Sequence, residues 1–256
     1  MDTVGRIIMD GVKAREATRE TPTKHGRWRA SDAGKCEIQQ ILKAFEVEES
    51  DPPDYELILK FQVCSHLEHF VTDTIMRSLE GREDVLVLGS DDNALADNEL
   101  KVSGHADIVI YDRQSAKPLE LIEVKALNYF FWRKFEKEPI EEAYFYGQLQ
   151  MYMHMLKIDT STLVVVERNT PMIHTIEVPY DDIYLWRLED MYDKLNRYYE
   201  AVKLPAIEDI EGERACQFCA YRTLCGEGGN DIAAVLDAQA RREGAPCLSE
   251  EGLGAS

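Results

Sequence analysis

Two carboxylates and an amine stand at a spacing that suits a hard divalent cation. Asp107 ends the stretch Gly104-His105-Ala106-Asp107, and Glu123-Val124-Lys125 follows one turn later in the chain. Read as consecutive strands joined at Asp112-Arg113-Gln114-Ser115, these segments bring Asp107 and Glu123 to near-facing positions. Side chains two apart on a strand share a face, so Glu123 and Lys125 point the same way. Mg2+ takes oxygen ligands and keeps several waters, so two carboxylates and a backbone carbonyl, here that of Val124, suffice to hold it. Such a cation lowers the pKa of a bound water and neutralises charge on a phosphodiester. A lysine beside it can orient or deprotonate that water, or stabilise the charge that develops. The alternative is a surface hairpin with Glu123 and Lys125 on its exposed face. The apolar neighbours Leu119, Leu121, Ile122 and Val124 weigh against it, because charges on a largely buried strand need a partner or a task.

A second group of residues could hold a different metal. Cys216-Gln217-Phe218-Cys219 and then Cys225 place three thiols in one short stretch, and Cys36 stands alone far upstream. Clustered cysteines fit metal binding better than a disulfide framework. Four thiolates suit [4Fe–4S] or Zn2+, and spacing does not choose between them. Shared by all four, the cluster would tie the N-terminal segment to the C-terminal one and stabilise by closing a long loop. Cys64 and Cys247 fall outside this pattern and read as a buried thiol and a tail residue.

The elements that must position these groups follow from periodicity. Residues 1–26 read as an arm. A short helix is expected over 35–45, and a long one over 55–80 with Asp54 as its N-cap and Leu57, Phe61, Leu67, Phe70 and Ile75 as its apolar stripe. Strands are expected over 85–88, 100–111 and 119–124, then a helix over 139–157. Two more strands over 163–166 and 173–178 and a helix over 181–203 precede the cysteine segment. The tail over 227–256 is expected to be partly disordered, with a helical stretch at 231–242. The order predicts an α/β protein, a mixed central sheet flanked by helices.

Asp107, then Glu-x-Lys, then Gln148-Leu149-Gln150-Met151-Tyr152 on a helix, resembles the PD-(D/E)XK nucleases, in particular their RecB-like branch. The resemblance covers residues 27–226 and implies a restriction-endonuclease-like fold. It implies that Asp107, Glu123 and Lys125 are catalytic, with Asp107, Glu123 and the Val124 carbonyl on Mg2+ or Mn2+. Gln148 and Tyr152 are four apart and share a helix face, which in the family looks onto the active site. The family's first motif lies on the long helix, where Cys64 stands in place of the usual glycine. That register makes Glu68 the metal ligand, with His69 as the alternative. Likeness to CRISPR-adaptation exonucleases and AddB-type nuclease domains implies [4Fe–4S] rather than Zn2+ on Cys36, Cys216, Cys219 and Cys225. The implied activity is a DNA exonuclease acting from single-stranded ends in recombination, replication or CRISPR adaptation. The implied partners are DNA and a recombination or CRISPR-adaptation protein. The rival reading is a non-catalytic DNA-end or protein-binding module that keeps the fold, against which the intact Asp107, Glu123 and Lys125 argue. No Gly-x4-Gly-Lys-Ser/Thr motif of a nucleotide-driven helicase is present.

Charge opposes a nucleic-acid ligand overall and permits one locally. The formal net charge is −19, whereas phosphate binding usually needs a basic footprint. Residues 1–36, with Arg29 among them, nevertheless hold more Lys and Arg than Asp and Glu. A second cationic stretch sets Arg133 and Lys134 beside Tyr129, Phe130, Phe131 and Trp132. Aromatics beside cations suit stacking on a single strand; the alternative is a helix start with solvated charges. Arg29, Trp132, Arg133 and Lys134 are therefore the candidate nucleic-acid contacts. No apolar run approaches the ~20 residues of a membrane span, and the N-terminal residues lack a signal-peptide core, so a cytoplasmic protein is expected.

Overall fold

The computed structural model describes residues 3–18, 26–135, 137–170, 172–210, 215–225 and 232–236. In chain order its elements are α1 (Thr3–Ala17), β1 (Trp28–Arg29), α2 (Glu37–Ala44), α3 (Tyr55–Ser78), β2 (Val85–Gly89), β3 (Ala94–Asp97), β4 (Val102–His105), β5 (Ile108–Asp112) and β6 (Pro118–Leu127). There follow α4 (Tyr129–Phe135), α5 (Tyr146–Leu156), β7 (Thr160–Glu167), β8 (Ile173–Pro179), α6 (Asp182–Glu200) and α7 (Arg222–Cys225). The chain divides into two compact units, one of residues 1–33 with 54–188 and one of 34–53 with 189–256.

The first unit is built on a five-stranded sheet in the order β2-β5-β6-β7-β8. Its neighbours run antiparallel except β6 and β7, which are parallel. Parallel neighbours need a crossover, and α4 and α5 lie in it. Val124 of β6 and Val164 and Val166 of β7 pack with Val71 and Ile75 of α3. Glu123, one residue along and so on the opposite face, meets Gln148 of α5. The two helices therefore cover opposite faces of β6. Each such aliphatic side chain, once buried, contributes roughly 1.5–3 kcal/mol, which fixes the strand that carries the candidate chemistry.

The strand expected over 100–111 is two strands in two sheets. β4 joins a small sheet in the order β1-β4-β3, whereas β5 belongs to the large one. The break falls at Ala106-Asp107. Alternation of Val102, Ile108 and Ile110 runs straight through it, because a period of two does not register a change of sheet. The break matters: Asp107 lies just outside the ladder, one residue before the pair Ile108–Ile122.

Helix α3 starts as expected, with Asp54 Oδ1 accepting from the Leu57 N–H at 2.9 Å. Its less exposed stripe is only partly the expected one: Leu57, Leu67 and Ile75 are half-buried. Phe61 and Phe70 are exposed, while Cys64, Glu68, Val71 and Ile75, spaced four, three and four apart, occupy the less exposed positions. Helix α5 begins at Tyr146 rather than at 139, because Pro139 leads into a separate 3-10 turn over Ile140–Glu142. The segment before it is α4, capped by Asn128, whose Oδ1 accepts from the Phe131 N–H at 2.9 Å. The arm contains α1, where the Val12 carbonyl accepts from Gln62 Nε2 at 3.3 Å and Lys13 Nζ sits 4.2 Å above the Tyr55 ring.

In the second unit, Phe45 stacks on Tyr199 with ring centroids 4.3 Å apart. The segment around Asp51 is bonded to the cysteine segment. Asp51 accepts from the Thr223 N–H at 2.7 Å and from its hydroxyl at 2.8 Å. The Asp51 N–H donates to the Ala220 carbonyl at 2.8 Å, and the Tyr221 hydroxyl donates to the Val47 carbonyl at 3.2 Å. Of the tail, residues 232–236 are helical; the rest of it, with Cys247, lies outside the described residues. No helix among the described residues is long and apolar enough to cross a membrane.

Candidate active site

Three carboxylates and one ammonium converge where β4 gives way to β5 and β6 passes beneath. Each carboxylate is fixed by one oxygen. Asp107 Oδ2 accepts from the Val124 N–H at 2.8 Å, and Glu68 Oε1 from the Ala126 N–H at 2.8 Å. Glu123 Oε1 accepts from Lys125 Nζ at 2.5 Å and from Gln148 Nε2 at 2.7 Å. The other Glu123 oxygen is buried and makes no hydrogen bond of normal geometry among the described residues, although the Asp107 backbone N–H is near enough to favour its charge. A buried carboxylate oxygen without a donor is costly, and a cation is the partner it suits. The donor set of Glu68, Asp107 and Glu123 thus fits a hard divalent ion. As the side chains stand, however, no three of the described His, Cys, Asp and Glu groups are drawn together in metal-holding geometry.

The helix residues close the site from the other side. Gln148 and Tyr152 are linked, Gln148 Nε2 lying 3.3 Å from Tyr152 Oη, and that hydroxyl donates to the His105 carbonyl at 3.0 Å. Tyr152 is only 2 % exposed. A Cβ on Gly104 would come within 2.6 Å of its hydroxyl, closer than side chains approach. Tyr152 therefore reaches β4 only because residue 104 is glycine.

Electrostatics follow from this crowding. Burial pushes the Glu123 carboxyl upward, and the like charge of Asp107 adds to it, against the pull of Lys125. Burial also raises Glu68, with Asp107 adding and the Ala126 N–H and Lys125 opposing. For Lys125, burial acts downward, but Glu123 and Asp107 outweigh it and hold the ammonium charged. Burial raises the Tyr152 phenol, so it stays a hydrogen-bond donor.

Of the two first-motif candidates, Glu68 lies in the site, whereas His69 is exposed. The four candidate thiols are free and all belong to the second unit. They are electrostatic neighbours: burial raises Cys225, and Cys36, Cys219 and Cys216 each add to it. Burial likewise raises Cys36, with Cys219 and Cys216 adding. As the side chains stand, the four thiols are not drawn into metal-holding geometry among the described residues; protein hydrogen bonds around Asp51 and Thr223 join the two chain segments.

The candidate nucleic-acid contacts separate. Trp132, expected to offer a stacking face, is only 9 % exposed and stacks on His174 with ring centroids 3.9 Å apart. That ring is already paired, so this expectation is corrected. Phe130 is the most open ring of the segment, 82 % exposed. Arg133 is exposed and lies 5.9 Å from the Tyr129 ring. Arg29 lies in β1, paired with Ser103. The Lys134 side chain is outside the described residues. Arg168, which follows β7 and bonds to Cys64 of α3, carries no signal in the spacing of the sequence.

No protein-family model matches the sequence, and no curated protein matches it. Solved structures do match. The crystal structure of an alkaline exonuclease from Laribacter hongkongensis shares 14% identity and superposes with a TM-score of 0.50, covering 70% of this chain and 90% of that one. The same exonuclease in complex with dAMP matches with 14% identity and a TM-score of 0.50, over 68% and 88% of the two chains. The likeness establishes a shared fold, the mixed sheet flanked by helices.

Proposed function

We propose that this chain is a divalent-metal-dependent deoxyribonuclease that hydrolyses phosphodiester bonds from DNA ends, preferring single-stranded ones. The observation that carries the reading is the buried Glu123 oxygen, left without a hydrogen bond of normal geometry among the described residues, beside Asp107, Glu68 and a charged lysine. An exonuclease with the same fold supports it. Glu68, Asp107, Glu123 and the Val124 carbonyl would hold Mg2+ or Mn2+. When bound, that ion supplies an activated water and neutralises phosphate charge.

The chain's own residues do the rest. Lys125 remains an ammonium in this setting, which supports a role in orienting the attacking water and in stabilising charge on the phosphate, rather than in taking a proton. Gln148 fixes Glu123 through Oε1 and leaves Oε2 for a ligand. Tyr152 holds the His105 carbonyl and, with it, the end of β4 next to Asp107. The DNA path runs over the cationic stretch with Arg133 and Lys134 and over Arg29, because a chain at −19 must rely on local charge.

We further propose that Cys36, Cys216, Cys219 and Cys225 take a [4Fe–4S] cluster, with Zn2+ as the alternative, and that the enzyme serves recombination, replication or CRISPR adaptation in the cytoplasm with a partner protein. Four thiols on one unit, electrostatic neighbours of one another, support the first part. Anaerobically purified protein should be brown with about four irons per chain; colourless protein with one zinc selects the alternative. The activity is tested with end-labelled single- and double-stranded DNA in Mg2+ or Mn2+. Loss of cleavage in folded Asp107→Ala and Lys125→Ala proteins is expected, and undiminished cleavage by Asp107→Ala would refute the site.

A further inference from the structure

Arg168 follows β7 and has no acidic hydrogen-bond partner among the described residues. Its backbone is fixed at the end of the parallel pair, the N–H donating to the Leu127 carbonyl at 2.8 Å. Its guanidinium makes one side-chain contact among the described residues, Nη1 to Cys64 Sγ at 3.5 Å, a weak acceptor. The Arg168 Nε is buried and has no hydrogen-bond partner among those residues. The adjacent carboxylate does not serve it: Glu167 accepts from Thr170 through Oε2 and faces His174 Nε2 through Oε1 at 3.0 Å. A cation held this way spends desolvation without recovering it from a protein acceptor.

Its placement relative to the site follows from the helix. Cys64 and Glu68 are four apart on α3 and share a face, so the guanidinium, bonded to Cys64, lies along the helix face that carries Glu68. Tyr144 lies in the same neighbourhood. Burial of its hydroxyl end raises that phenol, and Lys125, Glu68, Cys64 and Arg168 all act on it electrostatically. Tyr144, 42 % exposed, thus stands within electrostatic reach of both the carboxylate site and Arg168. A guanidinium fork with a free donor edge matches the two non-bridging oxygens of a phosphate.

We propose that Arg168 is a substrate-binding residue of this site, its guanidinium taking the backbone phosphate next to the scissile one in a DNA strand. The inference rests on the nuclease reading above. Strand binding supplies the oxygen acceptor that the terminal guanidinium nitrogens lack among the described residues, and the register of the strand over Glu68, Asp107 and Glu123 is set by that contact. Lys125 and Arg168 then divide the work, the first beside the reacting phosphate and the second on its neighbour.

The test uses the full-length protein with Mg2+ or Mn2+ and single-stranded oligonucleotides carrying one uncharged methylphosphonate at each position in turn. Wild-type protein should lose roughly 10- to 100-fold in kcat/KM when the substituted position is next to the scissile bond, the worth of one charge-assisted contact. Arg168→Gln should show a raised KM with kcat within a few-fold of wild type, a salt slope smaller by about 0.7, and no further loss with the methylphosphonate at that position. Arg168→Lys, which keeps the charge but not the fork, should fall between. If Arg168→Gln does not fold, the scan on wild type and Arg168→Lys decides, because equal sensitivity of the two proteins at every position overturns the proposal. Unchanged KM and slope in folded Arg168→Gln overturn it as well. Wild-type protein that cleaves no DNA in either metal instead overturns the nuclease reading, and the role of Arg168 falls with it.

Discussion

The Tyr152 hydroxyl occupies the space that a side chain at residue 104 would need: a Cβ built on Gly104 meets Tyr152 Oη at 2.6 Å and Cε1 at 2.8 Å. The glycine therefore serves the helix rather than its own backbone. Gly104→Ala should push Tyr152 off β4, break its bond to the His105 carbonyl and shift Asp107, three residues on. Overpacking of this kind costs about 1–3 kcal/mol, and cleavage should fall far more than stability. Denaturant unfolding and end-labelled DNA cleavage check both. Parent-like values in both assays would show that Tyr152 relocates freely and positions nothing.

Asp107→Asn keeps an oxygen for the Val124 N–H and removes one of three crowded negative charges. Without added metal, the variant should melt at or above the parent temperature, since like charges held near one another oppose folding. The parent should gain stability with Mg2+ or Mn2+, about 2.7 kcal/mol at a concentration a hundredfold over Kd, and the variant should gain far less. Thermal melts with and without metal read this directly. An equal metal-induced rise in both proteins would place the cation elsewhere.

The grouping of the candidate side chains was legible because strand alternation is local. Glu123 and Lys125 two residues apart, on an apolar strand, announce a shared face, and Gln148 and Tyr152 announce one on a helix. What depended on distant contacts was not. The division of 100–111 between two sheets leaves no mark on alternation, and β3 (Ala94–Asp97) pairs only with β4 and carries no long apolar run. Phe61 and Phe70 fit a helical stripe, yet the stripe that is buried includes Cys64 and Glu68, a thiol and a carboxylate that hydropathy discounts. Arg168 carries no spacing signal at all: its interest lies in a missing partner, which only the packed structure reveals.

Acid should loosen the second unit through Asp51. The Thr223 N–H, the Ser50 hydroxyl and the Thr223 hydroxyl hold its carboxyl down at about 2, against an ordinary 3.8. A folded value below the unfolded one means stability that is fully present above the unfolded value and lost as pH falls through about 2. Asp51→Asn should therefore be less stable than the parent at pH 5, and the gap should close as both are taken towards pH 2. A constant gap across that range would mean the side chain acts through shape rather than charge.

Helix α4 offers the sharpest separation between packing and binding. Trp132 is buried against His174, and Phe130 in the same helix is open to solvent. Removing a buried indole costs about 3–5 kcal/mol, so Trp132→Ala should unfold early and lose single-strand affinity only as a consequence of unfolding. Phe130→Ala should melt like the parent, because an exposed ring contributes little to the core. If a base stacks on that ring, the same substitution weakens single-strand binding by about 1–3 kcal/mol, with the salt slope unchanged because no phosphate contact is lost. Combining Phe130→Ala with Arg133→Gln should then reduce the slope as well, by about 0.7 if Arg133 contacts one phosphate. Fluorescence anisotropy of a labelled single strand at several salt concentrations, beside thermal melts, distinguishes the two residues. Full affinity and an unchanged slope in the double variant would remove α4 from the DNA path and leave it as a packing element against β7 and β8.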